Sequence, residues 1–235
     1  METRDRILRT ALELFNERGF NAVSVREVAR TLDMSPGNLV YHFPTKGSLV
    51  AALLQQLHEL NDRAVAEGAS QTGFAGLFGQ MLRVFQNDFA YRGLLANYTD
   101  AVLSHSETAA MEPMLYERRL RSIEIVLERL VGSGVLRREV LSHREYVAWA
   151  VVFAGRNWLT DARLHPSGDA PDRVIARYAL RTLYILGGYF TDAAKRDFDA
   201  HVARFDHVSS SGIGRRRSSP RRRSTQRLRQ RRTPD

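Results

Sequence analysis

Residues Ser35 to Lys46 read SPGNLVYHFPTK, and their side chains are those of a recognition surface rather than a catalytic one. A serine with a proline behind it opens a helix, because the serine oxygen caps free amides and the proline at the first helical position gives up nothing by lacking its N–H. Pro44 disfavours helical backbone at Phe43 and closes the helix about eight residues later. Such a helix is too short to be stable alone, so packing by Leu39 and Phe43, four apart, must hold it. Pro36, Gly37, Asn38, Tyr41 and His42 are left facing outward. Gly37 permits close backbone approach, Asn38 carries the donor and acceptor that match an adenine edge, and Tyr41 and His42 offer groups for phosphates. The amino ends of helices starting at Ser24, Ser35 and Lys46 present free N–H groups suited to phosphate.

The elements that must position this segment are also legible. Apolar residues recur at intervals of three and four along nearly the whole chain, which predicts an all-α fold. Ile7, Ala11, Leu14 and Phe15 form the stripe of a first helix, with Thr3 as expected N-cap and Gly19 as C-terminal stop. Ser24-Val25-Arg26-Glu27 reads as a capping box opening a second helix, which ends near Asp33. Thr45 caps a fourth, amphipathic through Leu49, Leu53, Leu57 and Leu60, and Gly68 to Gly73 forms a break. Further helices are expected near Leu77–Ala90, Leu94–Ser104, Ala109–Val131, Arg144–Leu164, Asp172–Phe190 and, as a short one, Asp192–Phe205. Two helices joined by a tight turn, the second short and polar at its start, form a helix-turn-helix.

With these residues in place, the segment from Arg6 to Leu53, which begins RILRTALELFNERGFNAVSVREVARTLDMSPGNLVYHFPTKGSLV, resembles the amino-terminal domain of the TetR family of bacterial transcriptional regulators. The resemblance implies a three-helix head over residues 1–50 and a larger helical ligand-binding and dimerisation domain over 51–208. Carried over by position, it places Ser24 and Arg26 at the DNA backbone, Ser35, Pro36, Gly37 and Asn38 at the reading end, and Tyr41, His42 and Lys46 at phosphates. Two positions depart from the family pattern: Val40 stands where tyrosine is frequent, and Asp33 where the turn commonly has glycine. The family's function implies a ligand-responsive repressor, binding as a homodimer to a near-palindromic DNA operator and released by a small-molecule effector.

The 235 residues carry a net charge of +9, but ten arginines and one aspartate lie in residues 215–235, leaving 25 residues of each sign in the rest. The body is therefore neutral, and DNA affinity must come from local placement. Residues 209–235, rich in serine and arginine with almost no apolar side chains, read as a disordered tail that either adds salt-sensitive DNA affinity or is a solvated extension. No cysteine is present, so disulfides and thiolate chemistry are excluded. No apolar run reaches the length of a bilayer-spanning helix and no export signal is visible, which reads as a cytoplasmic protein.

No catalytic residue, metal site or cofactor is expected, because the histidines lack ligand spacing and no phosphate loop or nucleophile elbow occurs. In the second domain Met81, Phe85, Phe89, Tyr98, Leu103, Tyr116 and Trp158 are candidate linings of an apolar ligand pocket, or plain core. The helices at 144–164 and 172–190 are apolar on more than one face, through Val147, Val151, Ala154 and Trp158 beside Ala148, Val152 and Gly155 in the first; this predicts a homodimer through the pair. Two other readings stay open: a DNA-coating protein driven by the basic tail, and a helical small-molecule enzyme on the same fold.

Overall fold

The helix starts written into the sequence organise the computed structural model, which describes residues 2–68 and 70–211, with side chains described to residue 205. Among the described residues it contains α1 (Thr3–Arg18), α2 (Val25–Thr31), α3 (Pro36–His42), α4 (Lys46–Gly68), α5 (Gly73–Ala90), α6 (Arg92–Leu95), α7 (Tyr98–Leu103), α8 (Ser106–Gly132), α9 (Arg144–Leu164), α10 (Pro171–Leu183) and α11 (Asp192–Ser211). The expected all-α architecture is what forms, and its one β-type pairing among the described residues is a bridge between Leu136 and Phe190.

Two of the expected caps form as read, and others differ. Ser24 and Ser35 oxygens each accept a 3.2 Å hydrogen bond from the backbone N–H three residues on. Thr45 and Ser48 cap α4 reciprocally, at 3.2 and 2.9 Å. At α1, Glu2 rather than Thr3 occupies the cap position and its side chain makes no capping bond. The Glu27 half of the expected box is missing, because the carboxylate turns to Arg18 at 2.6 Å and Arg30 at 3.5 Å. The α3 helix has seven residues, and Phe43 after it is extended, as the following proline requires.

The helix expected over Leu94–Ser104 divides into α6 and α7. Asn97 at the junction leaves helical geometry and its side-chain amide bonds back to Gly93 O at 3.2 Å, competing with the backbone ladder. The helix expected over 172–190 ends at Leu183 and tightens into a 3-10 turn over Tyr184–Tyr189, where the Gly187-Gly188 pair weakens α-helix. The last helix is not short, since α11 runs to Ser211. The rest of the arginine-rich segment lies outside the described residues.

Three apolar clusters hold the body. The first joins α1–α4 to Tyr91, Leu94, Ala101 and Val102, so the head packs on the α6–α7 corner. The second gathers Phe74, Leu127, Val147, Leu183 and Phe198 from α5, α8, α9, α10 and α11. The third stacks Phe85 on Trp158 at 5.2 Å, beside Ile175 and Ala179. The α4 helix, 23 residues long, contributes to the head's core at Leu49–Leu57 and reaches the body's interior at Asn61.

Candidate nucleic-acid interface and core cavity

The turn between α2 and α3 is made tight by Met34 N–H bonding Ala29 O at 3.0 Å and by Asp33 at φ 52°, the left-handed conformation that glycine supplies in many such turns. It aims α3 so that Leu39 and Phe43 are buried, with the Arg4 guanidinium 5.1 Å over the Phe43 ring. Ser35, Pro36, Gly37 and Asn38 lie together on the exposed amino end of α3, and a Cβ built at Gly37 meets no atom within 4 Å. Tyr41 is 84% exposed, against the edge of His42, and Val40 is also open to solvent. Arg26, Pro36, Gly37, Thr45 and Lys46 line one shallow hollow between α2, α3 and the start of α4. Ser24 caps α2 at the margin of the same face, and Arg26 is exposed there. The head thus brings Arg26, Pro36, Gly37 and Lys46 to one hollow, with Ser35 and Asn38 beside it on the amino end of α3.

Lys46 behaves differently from its expected place at a phosphate. Its ammonium donates to Phe20 O at 2.7 Å and sits 3.9 Å over the Phe20 ring, so it fastens α4 to the turn after α1. Burial lowers its pKa accordingly. Thr45, beside it, donates its hydroxyl to Glu107 from the start of α8, and that bond holds the Glu107 carboxyl below the usual range.

A second junction ties head to body. The Asn16 side chain donates to Ala90 O at 2.7 Å and accepts from Gly93 N–H at 2.8 Å, closing α1 onto the α5–α6 corner. Neither junction shows in sequence spacing, since partners lie more than 60 residues apart.

The body holds a partly open cavity of about 120 Å³ among α4, α5, α8 and α9. Of the residues expected at a pocket, Met81, Phe85 and Tyr98 line it. Phe89 and Trp158 border a neighbouring hollow beneath α1. Tyr116 stacks on the Arg156 guanidinium at 4.7 Å. Leu103 is a correction: it is 72% exposed, because α7 turns Ala101 and Val102 inward and leaves the next position outside.

Sequence reading missed the cavity's polar groups, His58, Asn61, Asp88, Arg119 and Arg156, which are isolated charges or amides on otherwise ordinary helices. Asp88 is buried, and desolvation raises its pKa to about 6 against the opposing pull of Arg119 and a 3.1 Å hydrogen bond from Asn61. Asn87 donates in turn to Asn61 at 3.0 Å. Arg156 pairs with Glu112, which also accepts from Tyr98, and burial pushes Tyr98 up to about 12.

Asp88 makes stability pH-dependent with a definite sign. Its native pKa of about 6 lies above the unfolded carboxylate value, so the folded state holds the proton more tightly and ionisation is destabilising. The cost is absent below about pH 4, grows towards about pH 6 and is complete above it. The isosteric Asp88→Asn variant is therefore expected to gain stability over the native chain as pH rises through that window. Denaturant midpoints of both chains across the window measure it; a constant difference would show that Asp88 ionises as in the unfolded chain.

Fold and site together define a class, a helix-turn-helix head fastened to a helical body with an internal cavity. Residues 7–53 match the sequence model of the bacterial regulatory proteins of the tetR family. The chain is 33% identical over 171 residues to the HTH-type transcriptional regulator TtgR of Pseudomonas putida, across 67% of this chain and 80% of that one. It therefore belongs to the tetR family. It spans 44% of the length of YttP, a probable HTH-type regulator of Bacillus subtilis, and 64% of that of UidR, an HTH-type regulator of Escherichia coli. Its fold matches a TetR-family regulator from Marinobacter aquaeolei with TM-score 0.75 at 22% identity, over 87% of this chain and 99% of that one. It also matches SmeT, the repressor of the Stenotrophomonas maltophilia multidrug efflux pump SmeDEF, with TM-score 0.62 at 20% identity, over 83% and 93%. Among the described residues no helix is long and apolar enough to cross a membrane.

Proposed function

We propose that this chain is a sequence-specific DNA-binding transcriptional regulator, a repressor that acts as a homodimer and is released from its operator by a small molecule held in the core cavity. The observation that carries the reading is the exposed amino end of α3, where Pro36, Gly37 and Asn38 stand clear on a helix whose Leu39 and Phe43 are locked into the head. A rigid base under a bare, polar helix start suits entry into the major groove. Ser24, Arg26, Tyr41 and His42 then meet phosphates, while the Lys46 ammonium ties the start of α4 to Phe20 O at the edge of the same hollow. Residues 1–50 act as the reading head and 51–208 as the effector and dimer body, with α4 running through both.

The repressor reading draws on SmeT, whose described role is repression. Dimerisation rests on α9. Of the two apolar faces expected on α9, one for the chain's own core and one for a partner, Val147 and Val151 of the first and Ala148 and Val152 of the second are all buried. The face left open carries Tyr146, Trp149 and Phe153, with Trp149 and Phe153 stacked at 5.3 Å and each more than half exposed. Tyr184, just after α10, is 70% exposed. An aromatic face of this kind is covered by a second copy in a twofold arrangement.

The test is a selection of binding sites from random duplexes, with sedimentation of the protein in parallel. The expected products are near-palindromic, with half-sites about one helical turn apart or a multiple of it. Trp149→Arg is expected to yield monomers and to weaken binding to the paired site by at least about a hundredfold, since each head then binds alone. Recovery of no consensus sequence would overturn the reading.

A further inference from the structure

The core cavity holds two opposite charges that do not meet. Asp88 lies on one side with one carboxylate oxygen taken by Asn61 Nδ2. Arg119, half-buried, also lines the cavity and acts on Asp88 through space, and among the described residues its guanidinium has no hydrogen-bonded or ion-paired partner. The other cationic group of the cavity, Arg156, is already met by Glu112. His58 donates through Nδ1 to Leu54 O at 2.8 Å, and burial keeps its ring neutral, so Nε2 is left as an acceptor. The buried Trp158 indole N–H falls short of hydrogen-bond geometry to any acceptor, yet it too favours the Asp88 carboxylate, as Asn61 does. Gln80, whose side-chain oxygen accepts from Arg129, and Tyr98, which donates to Glu112, are further polar side chains of the wall, and Met81, Val84, Phe85, Ile123, Val151 and Val152 are apolar.

Resting on the reading of this cavity as the effector site, we propose that its ligand is a small uncharged amphipathic molecule, a single ring or short branched chain bearing a hydroxyl that donates to Asp88 and accepts from Arg119. Charge balance decides the class. The wall carries one carboxylate and one guanidinium beyond the Arg156–Glu112 pair, so its charges offset each other. An anionic ligand would satisfy Arg119 and leave Asp88 facing a second negative charge; a cationic ligand would do the reverse. A hydroxyl is at once donor and acceptor and bridges both without bringing a charge into a desolvated space. Size points the same way, because about 120 Å³ is slightly less than the roughly 150 Å³ void that takes up benzene. A single ring fits with a small adjustment of the flexible Met81 side chain.

Calorimetric titration of the full-length chain with benzyl alcohol, benzoate and benzylammonium, three probes of one ring size, tests this without any variant. Benzyl alcohol is expected to bind at least about tenfold more tightly than either ion. Asp88→Asn leaves Arg119 uncompensated and should shift the preference to benzoate; Arg119→Gln leaves Asp88 uncompensated and should shift it to benzylammonium. Unliganded operator binding reports that the variants are folded. Equal binding of the three probes, tighter binding of an ion to the native chain, no binding of any of them, or unchanged preference in both variants would each overturn the assignment. Binding of benzyl alcohol with the expected selectivity but no effect on operator affinity would leave the ligand class standing and overturn the effector role.

Discussion

Gly93→Ala is expected to lower the stability of the folded chain by roughly 3 kcal/mol and to cost operator affinity as well. A Cβ at this position lands 2.0 Å from Phe15 O, 2.3 Å from Phe15 C and 2.6 Å from Asn16 N. All three are backbone atoms, so no side chain can swing aside. Relief requires α1 to move off the α5–α6 corner, and that movement breaks both hydrogen bonds of the Asn16 fork. The helical setting makes the prediction sharp, because α6 propensity alone would favour alanine over glycine by about 1 kcal/mol. Packing and propensity therefore disagree in sign. Denaturant unfolding of the two chains decides between them, with Asn16→Ala as the comparison that removes the fork without crowding and is expected to cost about 1–2 kcal/mol. A stabilised Gly93→Ala chain would mean that head and body are not held in contact at this corner.

The largest functional effect is expected at the tip of α3. Changing Gly37 and Asn38 together to glutamate should reduce operator affinity by at least about a hundredfold, with the denaturation midpoint unchanged or slightly raised. The fold has no objection to either side chain, since a Cβ at Gly37 meets nothing within 4 Å and Asn38 is exposed with its backbone N–H already capped by Ser35. Helix propensity favours the replacement of Gly37. Binding loses the asparagine's base contact and the glycine's clearance, and gains two anions against a polyanion. Fluorescence anisotropy on the selected operator measures the loss, and the salt dependence should persist if Arg26 still meets a phosphate. A folded double variant that binds as tightly as the native chain would remove α3 from the interface and with it the function proposed.

Ser35 and Pro36 announced the start of α3, and Pro44 its end, because caps and prolines act on backbone within three or four residues. The same locality explains why Arg144–Leu164 is both the expected and the observed span of α9. Asp33 could be read as tolerating the left-handed turn, and it adopts φ 52°. Local signals misjudged the places where a distant partner competes. Glu27 left its capping role for Arg18 on α1, and the span from Leu94 broke at Asn97 around a glycine pressed against α1.

The cavity shows the limit most clearly. The large side chains on amphipathic helices include Met81, Phe85 and Tyr98, which line the cavity, but also Leu103, which faces solvent, since periodicity names a face and not what lies opposite it. The groups that give the cavity its chemistry were invisible for the same reason: Asn61 and Asp88 are 27 residues apart and meet only because α4 packs along α5.

By itself the chain's order of residues determined an all-helical fold, a short helix with a polar amino end and its capped boundaries, since each depends on hydrogen bonds and torsions within one turn. Tertiary structure alone decided that Lys46 donates to Phe20 O, that α9 turns Val147, Ala148, Val151 and Val152 inward and shows its aromatic residues, and that Asp88 and Arg119 line one cavity without forming an ion pair. Those outcomes depend on which helices share a wall, and the free energy of filling that wall is summed over contacts too far apart in sequence for any local pattern to record.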